Sequence, residues 1–489
     1  MTQQSNNQTE PNFQPVRNQV SGPPPFLMWG VVLLFFMIVI GFFAGIWVLN
    51  NVLTTGQQVR VVNTLPLMSI FIQSNPTPEG GVLPTVDPDL ASEGDPLDLL
   101  NMPISNPTIS PNEDIASAEA TDVAITEEPA ELPTNTPLPT ATNTPLPPTS
   151  TPVPAEDDNS DNSSSVVESQ SVARLPTSHR NTGFIWDLQT WNNCGPATIT
   201  TALSFFGWQE DQEYAKDVLR PNREDKNVSP EELVDFVNEE TGVRAIVRMG
   251  GTLDLLRALI LAGFPVVVER GMYFEAYDWI GHYQVLVAYD DSISSFYAYD
   301  SFLGDGTAGE GVAQNYRDLD NTWRHFNRTF IVVYNPEDER IVQNLMGELW
   351  DADRAAEIAA ETAQEEALTN VDDAYAWHNL GMSLTALERY EEATRAFDRA
   401  ISLDMLPWRM LWYQFGLFES YLNVGRYNEM IALANANLNT TPELEESYYW
   451  RARAQIELGN ISDATSDLRT ALRYNPNFNA ARIALDNIQ

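Results

Sequence analysis

The chain has 489 residues, with 68 Asp and Glu against 27 Lys and Arg and a formal net charge of −41. That surplus excludes binding along nucleic-acid backbones, which needs basic surface, and acts mainly to keep the chain soluble. A single cysteine excludes an internal disulfide and a multi-cysteine zinc site, and the sequence points to no cofactor and no metal.

Residues 1–25 are polar and rich in Gln, Asn and Pro, which predicts a disordered tail. From Phe26 to Leu49 there is no charged residue, and the run exceeds the roughly 20 residues a helix needs to cross a bilayer. Trp29 and Trp47 stand near its ends, where aromatic rings anchor at membrane interfaces. We read residues 26–50 as one uncleaved transmembrane helix. Arg17 before the span and Arg60 after it nearly balance the basic-residue rule for orientation. In the linker over residues 51–170, residues 65–170 are rich in Pro, Thr, Ser, Asn and acidic residues, with the near-repeat Thr134-Asn-Thr-Pro-Leu-Pro and Thr142-Asn-Thr-Pro-Leu-Pro. Such composition predicts a disordered linker whose Pro-rich part is extended, like a stalk. A Thr/Pro stalk beside an anchor places the following domains on the outer side of a cell membrane.

Residues 171–335 read as one α+β domain with an antiparallel sheet. Cys194 is followed by Gly195, Pro196 and an apolar run that Gly207 closes, predicting a helix from about Pro196 to Phe206. The sulfur then sits at a helix N-terminus, where unpaired N–H groups lower a thiol pKa and favour the nucleophilic thiolate. Ser229, Pro230 and Glu232 form a capping box for a second helix, and a third is expected from about Thr252 to Ala262. Strands are expected at residues 265–269, 282–289, 295–299 and 329–334. Centring the hairpin turn near residue 291 makes His282 and Asp300 directly opposed across two strands. The carboxylate can then orient the imidazole, while Asp290 and Asp291 fall in a solvated turn.

Gln189, Asn193-Cys194-Gly195-Pro196, Gly281-His282 and Tyr299-Asp300 together resemble the papain-like bacteriocin-processing (double-glycine leader) peptidases and their broader relatives, over about residues 180–335. The resemblance implies Cys194 as nucleophile, His282 as general base, Asp300 as the residue orienting it, and Gln189 as oxyanion-hole donor. The sequence departs from that pattern at Ser301, where a Pro is common, and at Tyr283-Gln284, where an apolar run is common. His179, His325 and His378 lack comparable partners and read as structural or surface residues.

Residues 336–372 predict a connecting helical region, with Ala-rich spacing over 340–368. Residues 373–489 then resemble three tetratricopeptide repeats. Trp377, Leu380, Gly381, Tyr390, Ala393, Phe397 and Ala400 fit the pattern, and the second unit is stretched around Met405-Leu-Pro-Trp408. Such arrays offer a concave surface to a protein or peptide partner.

These features predict a membrane-anchored cysteine peptidase, acting on a peptide or protein through a Cys-His-Asp triad, with a repeat array for substrate or partner. Two rival readings are a non-enzymatic peptidase-like scaffold and an acyltransferase using the same triad. The intact set of four residues favours an enzyme over the scaffold.

Overall fold

A computed structural model describes residues 36–37, 40–47, 94–104, 176–274 and 278–489. The expected N-terminal tail, most of the expected transmembrane helix and most of the expected linker lie outside these. Residues 40–47 are helical, and among the described residues no helix is long and apolar enough to cross a membrane.

The peptidase-like part is built on one antiparallel sheet. Its elements are β1 (Ser178–Arg180), α1 (Cys194–Ser204), α2 (Gln212–Leu219), α3 (Pro230–Glu240), β2 (Arg244–Arg248), α4 (Leu253–Leu261), β3 (Val266–Phe274), β4 (Asp278–Asp290), β5 (Ser295–Tyr299), β6 (Val312–Asn315), α5 (Tyr316–Trp323) and β7 (Phe330–Tyr334). The sheet order is β2-β7-β3-β4-β5-β6, with β1 paired to the far end of β4. Because side chains alternate across a strand, Val267, Val285, Ile331 and Val333 meet Ile199, Leu203 and Leu233 of α1 and α3. Val266, Val268, Leu286 and Val332 meet Leu256, Trp323 and Val342 on the other face. Burial on both faces explains why these strands are continuous apolar runs rather than alternating ones.

The helix carrying the cysteine begins at Cys194 itself, not at Pro196, and its last residue is Ser204, with Gly207 just beyond in the left-handed region at φ +84°. Pro196 sits within the first turn, where its missing N–H costs nothing because that donor has no partner inside the helix. The capping box at Ser229 and Glu232 forms as expected. The Ala-rich region splits at Gly347 into α6 (Glu339–Met346) and α7 (Ala352–Thr369).

Three helical hairpins follow: α8 (Ala374–Ala386) with α9 (Tyr390–Ser402), α10 (Gly416–Asn423) with α11 (Tyr427–Thr440), and α12 (Glu445–Glu457) with α13 (Ile461–Tyr474). A final helix, α14 (Asn479–Asn487), covers the open end. A Cβ on Gly381 would lie 2.7 Å from the Phe397 ring, so α8 and α9 approach this closely only because that position is glycine.

The stretch expected to be linker over 51–170 needs one correction. Within it, Pro96–Asn101 forms a 3₁₀ turn capped by Asp95. Leu99, Leu100 and Ile104 bury themselves in the core of the repeat array. Gln364 of α7 donates to the carbonyls of Leu99 and Met102, and Arg389 to those of Pro103 and Ile104. Three large aliphatic side chains within six residues supply the apolar area that the Pro/Thr-rich remainder lacks.

Candidate active site

Cys194 is the first residue of α1, and the loop before it is locked by buried polar side chains. Asn192 takes φ +55°, a left-handed conformation that asparagine tolerates better than most residues. Asn193 is fully buried, yet its side chain does not cap the helix. Instead its amide donates to Gln212 Oε1 at 2.8 Å, and its Oδ1 accepts from Arg220 at 3.2 Å. Gln212 also accepts from the Thr190 N–H and donates to the Leu188 carbonyl and to Asp187. The first turn of α1 is therefore left uncapped by any side chain, with its N–H groups beside the thiol.

His282 lies on β4, and its Nε2 is 2.9 Å from Asp300 Oδ1. Asp300 follows β5 and is pinned by a backbone bridge to Gly304. The same Oδ1 accepts from the N–H groups of Phe302 and Leu303 at 2.7 Å each, while Gln284 holds the other carboxylate oxygen. Burial would favour the neutral carboxyl, but the His282 charge and these donors hold Asp300 below the usual range. Burial would likewise lower the His282 pKa. The charge and hydrogen bond of Asp300, helped by the proximity of Cys194, instead push it up to about 10.

The structure thus brings Cys194, His282 and Asp300 together, but by a different register from the expected one. Val285 pairs with Tyr299 and Leu286 with Ala298, and a bulge after Leu286 shifts the remainder to Asp290 opposite Ser295. The turn therefore centres between Ser292 and Ile293. Continuing the pairing places Gln284, not His282, directly across from Asp300, and His282 reaches it diagonally from two residues away on the same face. Asp291 is not merely solvated either, since its Oδ1 accepts from Arg257 and from the Tyr316 hydroxyl at 2.7 Å each.

Gln189 is held by Ser301 twice. Its N–H donates to the Ser301 carbonyl at 2.8 Å and its Oε1 accepts from the Ser301 hydroxyl at 2.9 Å. With its oxygen engaged, the Nε2 of Gln189 is the donor left over. Both departures from the family pattern therefore serve the site: Ser301 fixes Gln189, and Gln284 fixes Asp300. Behind Gln284, Gln314 donates to its Oε1 at 2.6 Å, and Arg270 lies against both amides.

Sequence reasoning missed two further groups. Glu269 is 4% exposed, and burial, then the charges of Glu231 and Cys194, push its carboxyl well above the usual range. It is a buried acid in the electrostatic environment of the thiol. Tyr413 comes from the repeat array. A Cβ on Gly281 would lie 2.7 Å from Phe326 and 3.0 Å from Tyr413, so the array packs directly on the strand that carries His282. No local pattern marks either residue. Of the remaining histidines, His325 stacks on Tyr375 with ring centres 3.9 Å apart, and burial drives both His325 and His378 down to about 3.

Residues 174–330 match the Peptidase_C39 like family, and residues 374–405 and 445–478 each match a tetratricopeptide repeat. Among curated proteins, aryl-hydrocarbon-interacting protein-like 1 of Pan paniscus is 29% identical over 119 residues, 21% of this chain and 31% of that protein. The Bos taurus form is 28% identical over 119 residues, 21% of this chain and 36% of that protein. Protein FlbA of Caulobacter vibrioides is 28% identical over 117 residues, 24% of this chain and 19% of that protein. The chain thus spans about a third or less of the length of these relatives. A solved structure described as a C39-like peptidase from Bacillus anthracis aligns with 33% of this chain and 98% of its own, at 15% identity and a TM-score of 0.27. The chain carries a Peptidase_C39 like domain over residues 174–330, followed by tetratricopeptide repeats.

Proposed function

We propose that the chain is a cysteine peptidase acting on a peptide or protein. One observation carries this reading: a buried imidazole 2.9 Å from a buried carboxylate, within electrostatic reach of a thiol that begins a helix. The Cys194 thiolate attacks the scissile carbonyl carbon while His282 holds the proton taken from it. The oxyanion that forms lies between the Gln189 amide and the N–H of Cys194. Collapse expels the amine, which takes the proton from His282, and leaves a thioester on Cys194. His282 then deprotonates water, which attacks the thioester and restores the thiol. Asp300 keeps the ring oriented and favours its charged form throughout.

We further propose that residues 26–50 anchor the chain in a membrane with the peptidase-like and repeat parts on the outer side, and that the array receives the substrate or a protein partner. The uncharged run and the stalk-like composition after it support the anchor.

The test is labelling of the full chain with a peptidyl thiol-reactive probe, followed by cleavage of a peptide library. Labelling at Cys194 that vanishes in Cys194→Ala and falls steeply in His282→Ala is expected. Equal labelling of wild type and His282→Ala would reduce Cys194 to an ordinary exposed thiol and end the peptidase reading.

A further inference from the structure

A second buried cluster lies away from the triad, where the peptidase-like part meets the third repeat. Asp225, in the loop after α2, is 1% exposed, and Glu445 and Glu446, in the first turn of α12, are 2% and 9% exposed. One carboxylate oxygen from each lies within 4.8 Å of the others. Each residue spends an oxygen on an amide. Asp225 Oδ1 accepts from the Asn227 N–H at 3.0 Å, Glu445 Oε1 from Asn475 at 3.1 Å and Glu446 Oε1 from the Asn227 side chain at 3.1 Å. The second oxygens of Glu445 and Glu446 are buried and have no hydrogen-bond partner among the described residues. A buried carboxylate oxygen left unpaired is costly, and two of them share this site.

The nearby Arg220 makes no direct hydrogen bond to them. Arg220 is fully buried, but its guanidinium donates to the carbonyls of Trp191, Arg223 and Asp225 and to Asn193 Oδ1, and to none of the three carboxylates. We propose that Asp225, Glu445 and Glu446 form a calcium site that fastens the third repeat to the peptidase-like domain. The donors are all hard oxygens, as calcium prefers, and calcium–oxygen distances of about 2.3–2.6 Å put ligands on opposite sides of the ion about 4.8 Å apart. A doubly charged ion adds positive charge where three buried carboxylates meet, beyond what Arg220 and Lys226 supply from the side. Through Arg220 the site also reaches the carbonyl of Trp191 and the side chain of Asn193, in the loop that sets Cys194.

The full chain, stripped of metal by a chelator, is titrated with calcium by calorimetry and melted across a calcium series. One calcium bound per chain, with a melting temperature that rises with calcium concentration, is expected. Asp225→Asn and the double variant Glu445→Gln/Glu446→Gln change opposite sides of the interface, and each should abolish both effects. Flat titrations of the wild-type chain with calcium, magnesium and manganese overturn the proposal and mean that the carboxyls are simply protonated. That measurement needs no variant, so it decides the matter even where a variant fails to fold. Undiminished calcium binding in both variants also overturns it, and saturation by magnesium but not calcium overturns the choice of ion.

Discussion

Asp300 and Asp291 flank one hairpin and share a chemical type, yet their surroundings give them separate roles. Asp300 is fully buried against His282, whereas Asp291 faces Arg257 and Tyr316 on α4 and α5. Asp300→Asn should lower turnover by up to about 10⁴-fold, the loss expected when the carboxylate of a triad becomes an amide. Asp291→Asn should leave turnover intact and cost under about 1 kcal/mol, because its ion pair is partly solvated. Comparable losses of turnover at both positions would remove Asp300 from the proposed triad. The pH dependence has a definite sign. Since the His282 pKa is raised to about 10, its contribution to stability is complete below the ordinary histidine value and is lost as pH rises through about 10. Urea unfolding from pH 6 to 11 should show that decline in the wild type and not in Asp300→Asn. Gln189 offers a graded test. Removing an oxyanion donor costs about 10²–10³ in turnover, which is the expectation for Gln189→Ala. Ser301→Ala deletes only the hydroxyl that fixes the amide, so a smaller loss of kcat with KM little changed is expected; equal kcat in wild type and Ser301→Ala would mean that Ser301 does not position Gln189.

At the scale of elements, spacing within one segment was readable and pairing between segments less so. The capping box at Ser229, the helix beginning near Cys194 and the strand at Ser295–Tyr299 follow from local chemistry. β2, β6 and α2 went unseen because they are short and carry polar or charged residues, and β1 is only three residues long. β4 begins four residues earlier than expected, at Asp278, because the Trp279-Ile-Gly281 stretch is covered by the repeat array, which local sequence cannot reveal. The hairpin register was misjudged because a bulge changes the pairing by one residue partway along, and a bulge leaves no composition signature. His282 and Asp300 still meet, since a diagonal neighbour on the same strand face is within reach just as a direct one is. Gly381→Ala tests the repeat packing. Forcing a methyl to within 2.7 Å of Phe397 should cost about 1–3 kcal/mol in urea unfolding. Gly242→Ala, with nothing within 4 Å and no strained φ, should stay within about 0.5 kcal/mol of wild type. Equal effects at the two positions would contradict a tight contact between α8 and α9.

Across the whole molecule, the repeat array turns the first helices of its outer hairpins towards its own chain. Asn379 and Ser383 of α8 bond to Arg324 and Asn327, and Glu446 of α12 bonds to Asn227. Between them the stretched part of the second unit docks through Arg409 on Trp279 and Gln414 on His325. At these points the array is in contact with the peptidase-like part, so a partner of the array must use other faces or compete. The docked turn at Pro96–Asn101 changes how the chain is moored. Residues 94–104 and 176–489 thus belong to one body, and residues 105–175 join these two parts in sequence. Between the proposed membrane helix and this turn lie residues 51–93, a contour of at most about 155 Å at 3.6 Å per residue. A protease that nicks residues 105–175 should therefore set nothing free. The fragment ending near residue 104 should co-elute with 176–489 on gel filtration, and Leu99→Asp/Leu100→Asp should let the two part. Separation already in the wild type would refute the mooring. On the proposed anchoring, release of the chain from a membrane would then take either a cut before Gly94, or a cut within 105–175 together with withdrawal of Leu99 and Leu100 from the core of the repeat array.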